Sequence, residues 1–191
     1  MSADIKTEAR WLTDDEQRSW RAFLEGSRLL MHNLERGHQK HGLSGTDYEI
    51  LVQLSEAPEH RLRMSQLAVR TLLEKSRLSH QITRMEKAGL IERQPCPDDR
   101  RGQFAVLTEH GWETIQLVAV DHVNQVRDIF VDKMTPEQFA VLGAAFEQVA
   151  AGLRKPRPEA CAEALGYDAP ESCDAGTDAD DSTCDADLFL P

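Results

Sequence analysis

Residues 96–111 of the 191-residue chain read CPDDRRGQFAVLTEHG. Two acids, Asp98 and Asp99, stand beside two arginines, Arg100 and Arg101, and Gly102 follows. Pro97 to Gly102 carries strong turn chemistry, and the flanking stretches 90–94 and 103–107 have the pattern of two short strands. A surface hairpin needs no paired arginines at its tip. A polyanion outside the chain would explain them, because the DNA minor groove is narrow and electronegative and arginine enters it well. Either aspartate would serve to orient an arginine, since an exposed ion pair adds little stability. The competing reading is a hydrophilic turn with incidental charges.

A second constellation lies just before it. On a helical wheel of residues 75–88, Leu78, Ile82 and Met85 share one face and anchor the helix to a core. Ser76, His80, Thr83 and Lys87 lie almost opposite, Arg77 and Arg84 share one flank, and Ser79 lies on the other. Short hydroxyls, an imidazole and cations suit a major groove, where arginine reads guanine and hydroxyls contact phosphate or base. Lys75 and Ser65 join this set of candidate DNA contacts. A polar solvent face is the alternative, and Glu74 and Glu86 would be unfavourable if they faced phosphate.

The formal net charge is −11, yet it is unevenly placed. Residues 156–191 hold ten acids and one base, whereas residues 61–101 hold ten bases and five acids. The acidity therefore belongs mainly to the tail, and the basic stretch coincides with the two constellations. No apolar run approaches the roughly 20 residues of a membrane span. The opening MSADIKTEAR has no leader pattern, so a cytoplasmic protein is expected. Cys96, Cys161, Cys173 and Cys184 are too far apart for a disulfide framework or a zinc knuckle.

The surrounding elements must position these residues. The pattern predicts one long helix over 13–38, with Thr13 and Glu16 as a capping box and an apolar stripe from Trp20, Phe23, Leu24, Leu30, Met31 and Leu34. A second helix starts at Ser44 or Thr46 and stops near Pro58; a third covers 64–72, with Leu72 on its apolar side. After the hairpin, Thr108 caps a helix over about 109–133, and Pro136 opens the last one, lined by Phe139, Leu142, Phe146 and Val149. The order α-α-α-α-β-β-α-α gives a mainly α fold with a small two-stranded β wing: a winged helix-turn-helix lobe over about 44–108 and dimerisation helices at 13–38 and 109–155. Residues 1–12 form an N-terminal arm, and 156–191 an acidic tail expected to be disordered, with a short helix at 159–165 as an option. The apolar stripes at both ends exceed what one small domain covers, so a homodimer is expected.

Residues 13–155 resemble the MarR (multiple antibiotic resistance regulator) family of winged helix-turn-helix repressors. The resemblance is carried by RMSQLAVRTLLEKSRLSHQITRMEKAGLIER and DDRRGQFAVLTEHG, with its Asp-x-Arg wing signature on Asp99 and Arg101. It implies a homodimer on pseudo-palindromic double-stranded DNA, with Ser76, Arg77, Ser79 and His80 near the major groove and Arg101 in the minor groove. Two positions depart from the family pattern: His80 is often arginine, and Thr83 is often an aspartate that tethers the wing arginine. Asp99 or Asp98 would then supply the tether.

The resemblance also implies a small aromatic or anionic effector in a cleft between the dimer helices and the DNA-binding lobe. Trp20, Met31, His38 and Tyr48 could border it, although each also reads as a core or interface residue. His32, His38 and His41 do not make a metal site with the residues around them, and neither metal nor cofactor is expected. Cys96, between Pro95 and Pro97 and near arginines, supports an alternative redox-responsive regulator. No phosphate loop, nucleophile elbow or catalytic cluster suggests an enzyme. A winged helix used only for protein interaction remains the other alternative.

Overall fold

A computed structural model describes residues 9–97 and 99–153, and of Arg100 and Arg101 the backbone alone. Asp98, the tail from 154 and its three cysteines, and most of the N-terminal arm lie outside the described residues. The helices are α1 (Asp14–Gln39), α2 (Gly45–Ser55), α3 (Met64–Arg70), α4 (Lys75–Lys87), α5 (Glu109–Ile129) and α6 (Pro136–Leu153). The strands are β1 (Arg61–Arg63), β2 (Ile91–Cys96) and β3 (Asp99–Leu107).

Local chemistry sets most boundaries. Thr13 and Glu16 close the predicted capping box on α1, and Ser44 with Asp47 closes another on α2. Thr108 Oγ1 accepts from the Gly111 amide at 3.0 Å and donates to the Gly89 carbonyl at 2.6 Å, so one hydroxyl caps α5 and ties it to the end of α4. Gly111 is required there: a Cβ would stand 2.1 Å from the Leu90 carbonyl oxygen.

Two expectations need correction. The sheet has three antiparallel strands in the order β1-β3-β2, because Arg61, Leu62 and Arg63 pair with Val106, Ala105 and Phe104. The expected hairpin is present as β2 and β3, both longer than 90–94 and 103–107. Helix α3 stops at Arg70 instead of 72. The Leu72 amide bonds to Val69 O at 3.4 Å and the Leu73 amide to Ala68 O at 3.0 Å, a C-terminal motif that puts Leu72 at φ 53. Leu72 is consequently 75% exposed instead of packed.

The core is gathered in the middle of the chain. Ile50, Leu51 and Leu54 of α2, Leu67 of α3, and Leu78, Ile82 and Met85 of α4 meet Ile91, Ala105 and Leu107 of the sheet and Ile115 and Val118 of α5. Helix α1 contributes only His38 to the buried set, and α6 contributes nothing.

Candidate nucleic-acid interface

Helix α4 presents the face the wheel assigned. Leu78, Ile82 and Met85 are buried, while Lys75, Ser76, Arg77, Ser79, His80, Thr83, Arg84 and Lys87 are exposed. Exposure alone does not make these side chains equivalent. The side chains of Ser76, Arg77 and His80 make no hydrogen bond or ion pair among the described residues, so they extend from the first two turns of the helix without an internal partner. Ser65, in the first turn of α3, is half-buried.

Ser79, Thr83 and Arg84 of α4 are engaged within the chain. Arg84 reaches back to α2, donating to Asp47 Oδ2 at 2.8 Å, Asp47 Oδ1 at 3.0 Å and Ser44 Oγ at 3.3 Å. Asp47 is buried and also accepts from the Ser44 amide at 2.8 Å, the Ser44 hydroxyl at 2.6 Å and the Gln81 amide group. Burial alone would push its carboxyl up; the Ser44 hydroxyl and amide and the Arg84 guanidinium outweigh that and hold it below the usual carboxylate range. Arg84 therefore pins α4 to the start of α2. Ser79 and Thr83 are taken by Arg93 of β2, whose Nη2 donates to Ser79 O at 2.9 Å, Thr83 Oγ1 at 3.1 Å and Ser79 Oγ at 3.4 Å. Arg93 also pairs with Glu86, which removes that carboxylate from the set of groups a phosphate would meet.

The base of the wing has its own anchor. Arg63 of β1 donates to Asp99 Oδ2 at 3.4 Å and to Cys96 Sγ at 3.2 Å, and its guanidinium carbon lies 5.7 Å from the Phe104 ring centre. Arg61 lies over the same ring at 5.1 Å. Asp99 thus has a partner in β1. Cys96 is 4% exposed. The side chains of Arg100 and Arg101, and the whole of Asp98, lie outside the described residues.

Of the four candidate effector residues, two come together. The His38 and Tyr48 rings stack at 4.3 Å, and His122 of α5 completes the group at 4.5 Å from Tyr48, with its Nδ1 3.1 Å from His38 Nε2. Burial lowers the pKa of both imidazoles, and for His38 the neighbouring His122 adds to the effect. Beside them a cleft of about 350 Å³ is lined by Gly37, Lys40, His41, Asp121 and Gln125 as well as the two imidazoles. Trp20 stands elsewhere, stacked on Phe23 at 5.5 Å, and Met31 is 60% exposed. Eighteen residues of helix separate Trp20 from His38, about 27 Å at the rise of an α-helix.

Arg93, Arg63, Asp47 and His122 were not singled out from the sequence. A signal for Arg93 existed: it follows Ile91 by two along a strand, which places both on the face turned to α4.

These features define a winged helix-turn-helix: α3 and α4 joined by a tight turn, followed by a hairpin braced against both. A MarR family model matches residues 41–102. AbsC of Streptomyces coelicolor, a MarR family transcriptional regulator, is 55% identical with a TM-score of 0.74, over 76% of this chain and 99% of AbsC. Sco3205 of the same organism, a MarR family regulator solved in complex with DNA, is 43% identical with a TM-score of 0.76, over 79% of this chain and 96% of that one. The transcriptional regulator PecS of Dickeya dadantii is 32% identical over 105 residues, and the match spans 54% of this chain and 63% of PecS. The chain belongs to the MarR family of transcriptional regulators. Among the described residues, no helix is long and apolar enough to cross a membrane.

Proposed function

We propose that the chain acts as a homodimeric, sequence-specific DNA-binding repressor that a small molecule releases. The observation that carries this reading is the face of α4: Ser76, Arg77 and His80 project without internal partners from a helix otherwise pinned on both flanks. A pinned helix that projects a serine, an arginine and a histidine suits a major groove. Arg101, near the tip of the adjoining hairpin, is the candidate for the minor groove, and the 43% identical relative bound to DNA supports the assignment.

A second copy is the partner that the helical stripes call for. Trp20, Phe23, Phe139 and Phe146 are each at least 40% exposed although they sit on apolar faces. Two copies related by a two-fold axis would present two α4 helices to a pseudo-palindromic operator. A small aromatic or anionic effector fits best beside Tyr48, His38 and His122, where α1, α2 and α5 meet. The redox reading through Cys96 is disfavoured by its burial, since oxidants act on accessible thiolates.

Selection from a random DNA pool by the purified full-length chain tests the proposal. The expected product is one half-site repeated with two-fold symmetry. Retention of DNA without sequence enrichment, or no retention at low salt, would leave the protein-interaction reading in its place.

A further inference from the structure

Resting on the DNA-binding reading, we infer that Arg93 is a positioning residue that fixes the wing against the recognition helix, and that Ser79 and Thr83 serve this clamp instead of reading bases. Arg93 sits in the middle of β2, opposite Ala105 of β3. Its guanidinium spans two turns of α4. At one end it meets the Ser79 carbonyl and both the Ser79 and Thr83 hydroxyls; at the other it pairs with Glu86. Its backbone amide donates to Glu86 Oε1 at 3.1 Å, so main chain and side chain hold the same carboxylate. Ser79, Thr83 and Glu86 are spaced at i, i+4 and i+7, one flank of the helix.

The arrangement is directional. The Thr83 hydroxyl donates to Ser79 O at 2.9 Å, which leaves its lone pairs for Arg93 at 3.1 Å. The Arg93 side chain is only 19% exposed, so it is poorly placed to meet a phosphate itself. Its leverage lies further along the strand. Cys96 is three residues on, about 10 Å at strand rise, and the arginines of the wing lie beyond. A tilt of about ten degrees at Arg93 would move that end by about 2 Å, well outside the roughly 0.5 Å tolerance of a positioned contact. In this clamp β2 supplies the cation, and α4 supplies hydroxyls and Glu86.

The test uses the full-length chain, the DNA it selects and an unrelated duplex. Arg93→Lys keeps the charge and loses the fork; Thr83→Val keeps the shape and loses the hydroxyl. Each should weaken specific binding about tenfold, the size of one lost charge-assisted hydrogen bond. Binding to the unrelated duplex should change much less. The double variant should bind no more weakly than the weaker single one, and Thr83→Ser should restore wild-type affinity. Multiplicative losses in the double variant or an altered base preference in Thr83→Val would overturn the inference.

Hydrogen exchange without DNA separates this inference from the functional proposal. Amides of Gln94–Gln103 should exchange faster in both single variants while the α4 amides keep their protection. Unchanged exchange in the hairpin would refute the clamp whether or not the chain binds DNA. If Arg93→Lys does not fold, Ser79→Ala takes its place in the cycle with Thr83→Val.

Discussion

In α4, Leu78, Ile82 and Met85 are each at most 1% exposed; in α1, Trp20, Phe23 and Leu24 are 50%, 40% and 37% exposed. Both sets are apolar residues at helical spacing, and both read alike in the sequence. Their surroundings differ. The lobe around α4 finds covering surface within its own chain, from α2, the sheet and the first half of α5. Polar contacts tie α1 and the turn after it to their own chain: Gln125 donates to Asn33 O at 2.7 Å, His41 meets Asp121 at 2.9 Å, and Glu35 accepts from the Gly45 amide at 2.7 Å. Its apolar stripe meets the same chain at one aromatic contact, Phe23 on Phe146 at 5.6 Å. One region is closed by folding; the other leaves apolar surface for the second copy proposed above.

This contrast can be broken at either end. The largest loss of stability is expected in the lobe. Ile82→Ala removes a fully buried side chain from a packed site and should cost about 2–5 kcal/mol, read from urea denaturation. Phe23→Asp should barely disturb the lobe yet prevent association. Light scattering should give the monomer mass for this variant and twice that mass for the wild type. A wild-type monomer at micromolar concentration would remove the second copy from the account.

The junction of the two regions supplies a pH dependence. The folded pKa values of His38 and His122 lie below the 6.5 of a free imidazole, chiefly through burial. The unfolded chain therefore binds more protons near and just below pH 6.5. The stability contributed by the neutral pair is fully present above about pH 6.5 and is lost as pH falls through the lower folded values. Urea midpoints measured at pH 7.5 and 5.5 should fall for the wild type, and His122→Gln should flatten that difference. An equal fall in the variant would place the titrating groups elsewhere.

The smallest effect is expected at Leu72. Its φ of 53 is a glycine conformation, and the exposed side chain gains little packing. Leu72→Gly relieves that strain but loses more chain entropy on folding. The balance should be a gain of less than about 1 kcal/mol. A loss above that size would show that Leu72 packs on something, such as a second copy.

The caps, the buried face of α4 and the hairpin were legible because each depends on residues close in sequence. The third strand was not: Arg61-Leu62-Arg63 has too few residues to show a period, and pairing with β3 makes it a strand. The end of α3 was misjudged because Leu72 continues the apolar pattern while the backbone has already turned. The interface was legible as a face and not as a set of roles. A helical wheel places Ser79, Thr83 and Arg84 on the surface, but only tertiary contacts reveal that Arg93 and Asp47 already engage them. The candidate effector residues Trp20 and His38 share a helix, yet its length separates them.

The central claim is that Ser76, Arg77 and His80 of α4 and the wing together read DNA. Fluorescence-anisotropy titrations of the selected duplex at several salt concentrations test it most directly, with wild type, Arg77→Ala and Arg101→Ala. Each variant should bind more weakly with an unchanged melting temperature. Each should also reduce the salt slope by roughly one per lost phosphate contact, or about two per dimer. Wild-type affinity and slope in both variants would contradict the account, because the arginines assigned to the two grooves would then have no part in binding.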